Sequence, residues 1–127
     1  MRHMYFTLPY FRTAMMAFAL LVLVASCKDD EDPTTVDCTG LDPTYTADIK
    51  AILDASCTAS GCHNSTDQAN GYDFSNYASA AAASQGGRFL GAINHQGGFN
   101  AMPKDAPKLS IANIELLTCW VEDGSPQ

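Results

Sequence analysis

Positive charge is scarce in this sequence of 127 residues: seven Lys+Arg stand against fourteen Asp+Glu, giving a formal net charge of −7 and a pI near 4.5. No cluster of Lys and Arg is available to neutralise phosphates, which excludes nucleic-acid binding. Alternating runs of β-branched residues are missing too, so no strands are expected. The sequence holds a single long apolar run, of 12 residues at positions 14–25. That excludes a polytopic membrane protein, and the run is shorter than the roughly 20 residues a helix needs to cross a bilayer. No internal repeat is present. The length leaves room for one small domain.

The apolar run follows a weakly basic start (Arg2, His3, Arg12) and ends in Leu23-Val24-Ala25-Ser26-Cys27. A basic start, a short apolar core and small residues at its end form the layout of a secretory signal. Its end resembles the bacterial lipobox, in which the cysteine is lipidated and becomes the mature N-terminus. Residues 1–26 are therefore expected to be a lipoprotein signal peptide, with Cys27 as the lipid acceptor; an ordinary cleaved signal beside an unrelated cysteine is the alternative. Every acid lies after residue 28, so a chain beginning at Cys27 carries five basic and fourteen acidic side chains, a net of −9. Lys28-Asp29-Asp30-Glu31-Asp32-Pro33 reads as an extended tether, because like charges repel and Pro33 cannot continue a helix. Residues 27–37 are assigned to the lipidated cysteine and this acidic tether. A lysine followed by acids also resembles the surface-export signal of some Gram-negative lipoproteins. The expected location is extracytoplasmic, lipid-anchored to the bacterial outer membrane, on its periplasmic side or at the cell surface.

Residues 38–127 form the expected domain. Ile49, Ile52, Leu53 and Cys57 share one helical face, Thr44 or Thr46 can cap that helix, and Asp48 suits its first turn. Gly61 stops it. Residues 64–71 read as polar loop. Asp73-Phe74-Ser75 is expected to open a second helix running through Tyr77 and the alanines at 80–83, ended by Gly86-Gly87. Residues 88–94 add a helical turn or two, and the Gly- and Pro-rich residues 96–107 are loop. The last helix is capped by Ser110, carries an apolar stripe of Ile111, Ile114, Leu117, Trp120 and Val121, and ends at Gly124 and Pro126. The expected class is small all-α. About 90 residues is marginal for a self-sufficient core, so a crosslink or cofactor is expected to help.

The chemistry concentrates in Cys57-Thr58-Ala59-Ser60-Gly61-Cys62-His63. Haem attachment needs two thiols for the two vinyl groups and a histidine at a fixed offset to ligate the iron, and its usual signature is C-x-x-C-H. Here four residues separate the cysteines. A longer loop can still bring both sulfurs to the vinyls, and Gly61 would let it turn tightly. Two other readings stay open at this point. Cys57 and Cys62 could pair in an oxidising compartment. With His63 they could also hold zinc, given a fourth ligand from His95 or an acid.

Residues 45–126 resemble a class I cytochrome c domain of the kind carried on bacterial lipoproteins. The matching pieces are an amphipathic helix leading into Cys57…Cys62-His63, the segment Asp73-Phe74-Ser75-Asn76-Tyr77, the Ala101-Met102-Pro103 loop, and a last helix with Trp120 ahead of Asp123-Gly124. The resemblance implies a small all-α, cytochrome c-like fold with amphipathic first and last helices around one covalent haem c. It implies thioether bonds from Cys57 and Cys62, with His63 as the proximal iron ligand and Met102 as the distal one. His95 is the rival distal ligand. Because the first and last helices of such a fold pack across each other, the resemblance also implies a structural disulfide between Cys38 and Cys119; two free thiols are the alternative. Trp120, Tyr72, Phe74 and Tyr77 are expected in the core or on the haem edge.

With both axial positions filled, the resemblance implies an electron carrier rather than an enzyme, working between redox protein partners and tied to the membrane by its lipid. The acidic surface suits a partner with basic residues around its own centre. The competing reading is a haem-free, disulfide-stapled surface lipoprotein acting as a binding module. A peroxidase-like activity would need a distal acid–base pair, which is not evident.

Overall fold

The computed structural model describes residues 35–127. The signal peptide, the Cys27 lipid acceptor and most of the acidic tether lie outside the described residues. Within them the architecture is all-α, with no strand. None of their helices is long and apolar enough to cross a membrane.

The first helical segment begins with a π-helical turn, Tyr45–Ile49, and continues as α1, Lys50–Ser56. Of the two candidate caps it is Thr44 that works: its hydroxyl accepts from Ala47 N, while Asp48 reaches back to accept from Thr44 N. This reciprocal pair satisfies two of the amide donors that a helix start leaves open. The predicted apolar face is the one buried, with Tyr45, Ile49, Ile52 and Leu53 in the core.

The second helix begins later than the sequence suggests. α2 spans Tyr77–Ser84, and Asn76 caps it by accepting from Ser79 N. Asp73 accepts from both the amide and the hydroxyl of Ser75, at 2.8 and 2.6 Å. That local bonding offers the backbone an alternative to helix, which keeps residues 73–75 outside it. α3, Arg88–Ile93, follows the Gly86-Gly87 break.

α4, Ile111–Glu122, is capped by the Ser110 hydroxyl, which accepts from Asn113 N. Ile114, Leu117 and Trp120 are buried, but Ile111 is 77% exposed. The apolar stripe therefore starts at Ile114, one turn later than its sequence period implies. Gly124, at φ +81°, ends the helix in the left-handed region that a residue with a Cβ resists.

α4 packs against the Tyr45–Ile49 turn, and α3 contacts both α2 and α4. The Tyr45 ring lies 6.3 Å from Trp120 and 5.4 Å from Tyr77. The C-terminus locks this packing. The Pro126 carbonyl accepts from Tyr45 N and from the Trp120 indole N–H, at 3.0 and 2.8 Å. Ser125 is fully buried, its carbonyl accepting from the Tyr77 hydroxyl and its own hydroxyl meeting that of Ser84. A disulfide joins Cys38, ahead of the first helix, to Cys119 in α4, with Cα atoms 5.5 Å apart.

Candidate functional site

α1 ends on Cys57, whose amide still bonds Leu53 O. The chain then makes a closed loop back on itself. Cys62 N donates to Ala59 O and His63 N donates to Cys57 O, both at 3.0 Å. Gly61 takes φ +79° inside this loop, the tight turn its identity predicts. Its amide donates to Asp67 at 2.7 Å, and Asp67 also accepts from the Asn64 side chain. Asn64 in turn donates to Ala59 O and accepts from the amides of Thr66 and Asp67. Asn64 and Asp67 thus staple the four residues between the cysteines to the loop that follows His63. The sequence marked this region only as polar loop; the Asn-x-x-Asp spacing is the turn chemistry that could have flagged it. The hydrogen bonds from Asn64 and then from Gly61 hold the Asp67 carboxyl below the usual range.

Cys57 and Cys62 are both free thiols and both half-buried, so they do not form the bond that one open reading required. Burial, reinforced by the neighbouring Cys62, pushes the Cys57 thiol up from 9.0 to about 11. At neutral pH it is protonated and a poor nucleophile or metal ligand. Among the described residues no three His, Cys, Asp or Glu side chains converge as a metal-holding group.

The His63 ring is buried between aromatic edges, at 5.3 Å from Phe74 and 6.0 Å from Tyr72, both near perpendicular. Its Nδ1 lies 3.0 Å from the Ala69 carbonyl. A carbonyl only accepts, so Nδ1 carries a proton and donates it there. Tyr72 and Phe74 stack with planes 6° apart, and Phe74 continues to Phe89 at 5.5 Å. The Phe74 amide donates to His63 O at 2.8 Å, so the aromatic wall and the histidine share one backbone tie.

Met102 is half-buried. It borders a cleft of about 430 Å³ with Asn70, Asn100, Ala101, Lys104 and Asp105. The structure therefore gathers Cys57, Cys62 and His63 on one loop, while Met102 lines a cleft that none of those three borders. The link between them is short in sequence: His63 bonds the carbonyl of Ala69, and Asn70 is the next residue and forms a cleft wall. His95 is exposed, and its Nε2 lies 3.0 Å from the Met102 carbonyl.

No family model, curated protein or solved structure matches this chain at a significant level.

Proposed function

We propose that this protein is a lipid-anchored monohaem c-type cytochrome that carries single electrons between redox partners outside the cytoplasm. One observation carries the reading. Two free thiols share one loop with a buried histidine whose Nδ1 is committed to a backbone carbonyl. That is the donor set covalent haem attachment needs, with a backbone bond that would orient the imidazole. Met102, which lines the cleft beside Asn70, would add the remaining ligand type. The donor types present suit the group, although the cleft that Met102 lines does not include His63.

Cys57 and Cys62 would hold haem c by thioether bonds, His63 would be the proximal ligand and Met102 the distal one. When bound, such a haem would supply a one-electron couple, and His63 and Met102 as its ligands would favour electron transfer over oxygen activation. The Ala69 carbonyl fixes the His63 tautomer and raises its basicity as a donor. Tyr72 and Phe74 pack on its ring and help keep water from it. The Asn64–Asp67 staple keeps the longer C-x4-C-H loop in one shape. The surplus of acids favours a redox partner with basic residues around its own centre.

The test is a reduced-minus-oxidised visible spectrum of protein made in a host with haem-attachment machinery, followed by a denaturing gel stained for haem. A sharp reduced α-band and a stain that survives denaturation are expected, with the stain lost in a Cys57→Ser, Cys62→Ser variant. A colourless protein from that host would overturn the reading and leave a disulfide-stapled surface lipoprotein with a binding role.

A further inference from the structure

Both main-chain polar groups of Met102 are tied to the end of α3. Its amide donates to Ala92 O at 3.0 Å, and its carbonyl faces His95 Nε2 at 3.0 Å. Ala92 O also accepts from His95 N, so one carbonyl anchors both ends of the loop that runs from His95 to Met102. The middle of that loop is pinned as well. Gln96 N donates to Gly91 O, and the Phe99 ring sits where a Cβ on Gly91 would be, 2.5 Å from that position. His95 itself takes φ +57°, a left-handed conformation that is costly for a residue with a Cβ. The conformation is what turns its side chain back across the loop to Met102. Facing a carbonyl, Nε2 must be the protonated nitrogen, so it is spent as a donor.

We propose that His95 is a positioning residue for Met102: its Nε2–H fixes the Met102 carbonyl and thereby sets where the thioether starts. This rests on the haem reading above. It also removes His95 as the rival distal ligand through Nε2, since ligation there would break the bond.

Three variants test it in the full chain: His95→Gln, which keeps a side-chain N–H donor, His95→Ala, and Met102→Ala. In the haem-loaded protein the readouts are the sulfur-to-iron charge-transfer band and the affinity for added imidazole, which competes with Met102. In protein made without attachment machinery the readout is amide exchange at Met102. For His95→Ala we expect imidazole to bind about five-fold more tightly, the worth of one ordinary hydrogen bond, and Met102 amide exchange to accelerate. His95→Gln should restore both toward the parent, and Met102→Ala should abolish the band. Unchanged imidazole affinity and unchanged exchange in His95→Ala would overturn the clasp. Loss of low-spin haem in both His95 variants, with Met102→Ala unaffected, would overturn it in favour of His95 as the ligand. Failure of the haem reading looks different: the parent protein itself takes no stain.

Discussion

The His63 amide donates to the Cys57 carbonyl at 3.0 Å, closing the loop that carries both free thiols. The closure depends on Gly61, which sits at φ +79° with open space where a Cβ would go. Backbone conformation, not crowding, is what demands glycine there. Gly61→Ala should therefore cost about 1–2 kcal/mol, the left-handed penalty of an L-residue. Denaturant unfolding followed by Trp120 fluorescence would show it as a lower midpoint at unchanged slope. A variant as stable as the parent would mean the loop can turn another way.

Cys57 gives a pH prediction for the haem-free chain. Burial holds its thiol protonated up to about pH 11, against 9.0 when exposed. Between those values the unfolded chain releases a proton that the folded chain keeps, so unfolding gains as pH rises. Stability should be level below pH 9 and fall by at most about 2–3 kcal/mol on the way to pH 11. Cys57→Ser should flatten that limb. Alkylation of Cys57 by iodoacetamide at pH 8 should be slow in folded protein and fast in denaturant, which mass spectrometry of the labelled peptide can resolve.

Much of this was legible in the sequence, and the exceptions have physical causes. The apolar face of the first helix, the Ser110 cap, the Gly124 stop and the turn at Gly61 all follow from local rules that need no tertiary information. The start of α2 does not, because Asp73 competes for the Ser75 amide and that competition is invisible to helix period. Ile111 fits the stripe of α4 by spacing, but burial depends on what lies opposite, and among the described residues nothing covers its side chain. The proximity of Cys38 and Cys119 came from the fold resemblance, not from spacing. His95 and Met102 compete for one role by sequence alone; only folding shows that one holds the carbonyl of the other.

The Cys38–Cys119 bridge closes a span of 81 residues. Restricting so long a loop in the unfolded chain stabilises the fold by about 2–4 kcal/mol. Removing both sulfurs in a Cys38→Ser, Cys119→Ser variant should lower the unfolding free energy by that amount. Urea unfolding of the parent and the double variant checks this. No loss in the haem-free double variant would show that the α4 core around Trp120 and Leu117 is sufficient alone.

Asp67 supplies the acid counterpart. The Asn64 side chain and the Gly61 amide bond its ionised form, which lowers its ionisation below the ordinary 3.8. A carboxyl held low in the folded chain stabilises above the unfolded value, and that stabilisation is lost as pH falls through the folded one. Asp73, held low by the Ser75 hydroxyl and amide, contributes in the same direction. Asp67 is exposed, so solvent and salt weaken its share. The local consequence should be clearer than the global one. Lowering the pH below 3.8 should release the Gly61 amide from its 2.7 Å bond and reduce its protection from exchange relative to the intrinsic rate at each pH. In Asp67→Asn the Gly61 amide should exchange faster already at neutral pH and lose most of its acid dependence, because a neutral amide oxygen is a weaker acceptor than a carboxylate. Exchange at Met102, whose amide is bonded to Ala92 O, should stay unchanged in the same sample. Equal acceleration at both sites would mean that the staple is part of the global fold instead of a local brace on the cysteine loop.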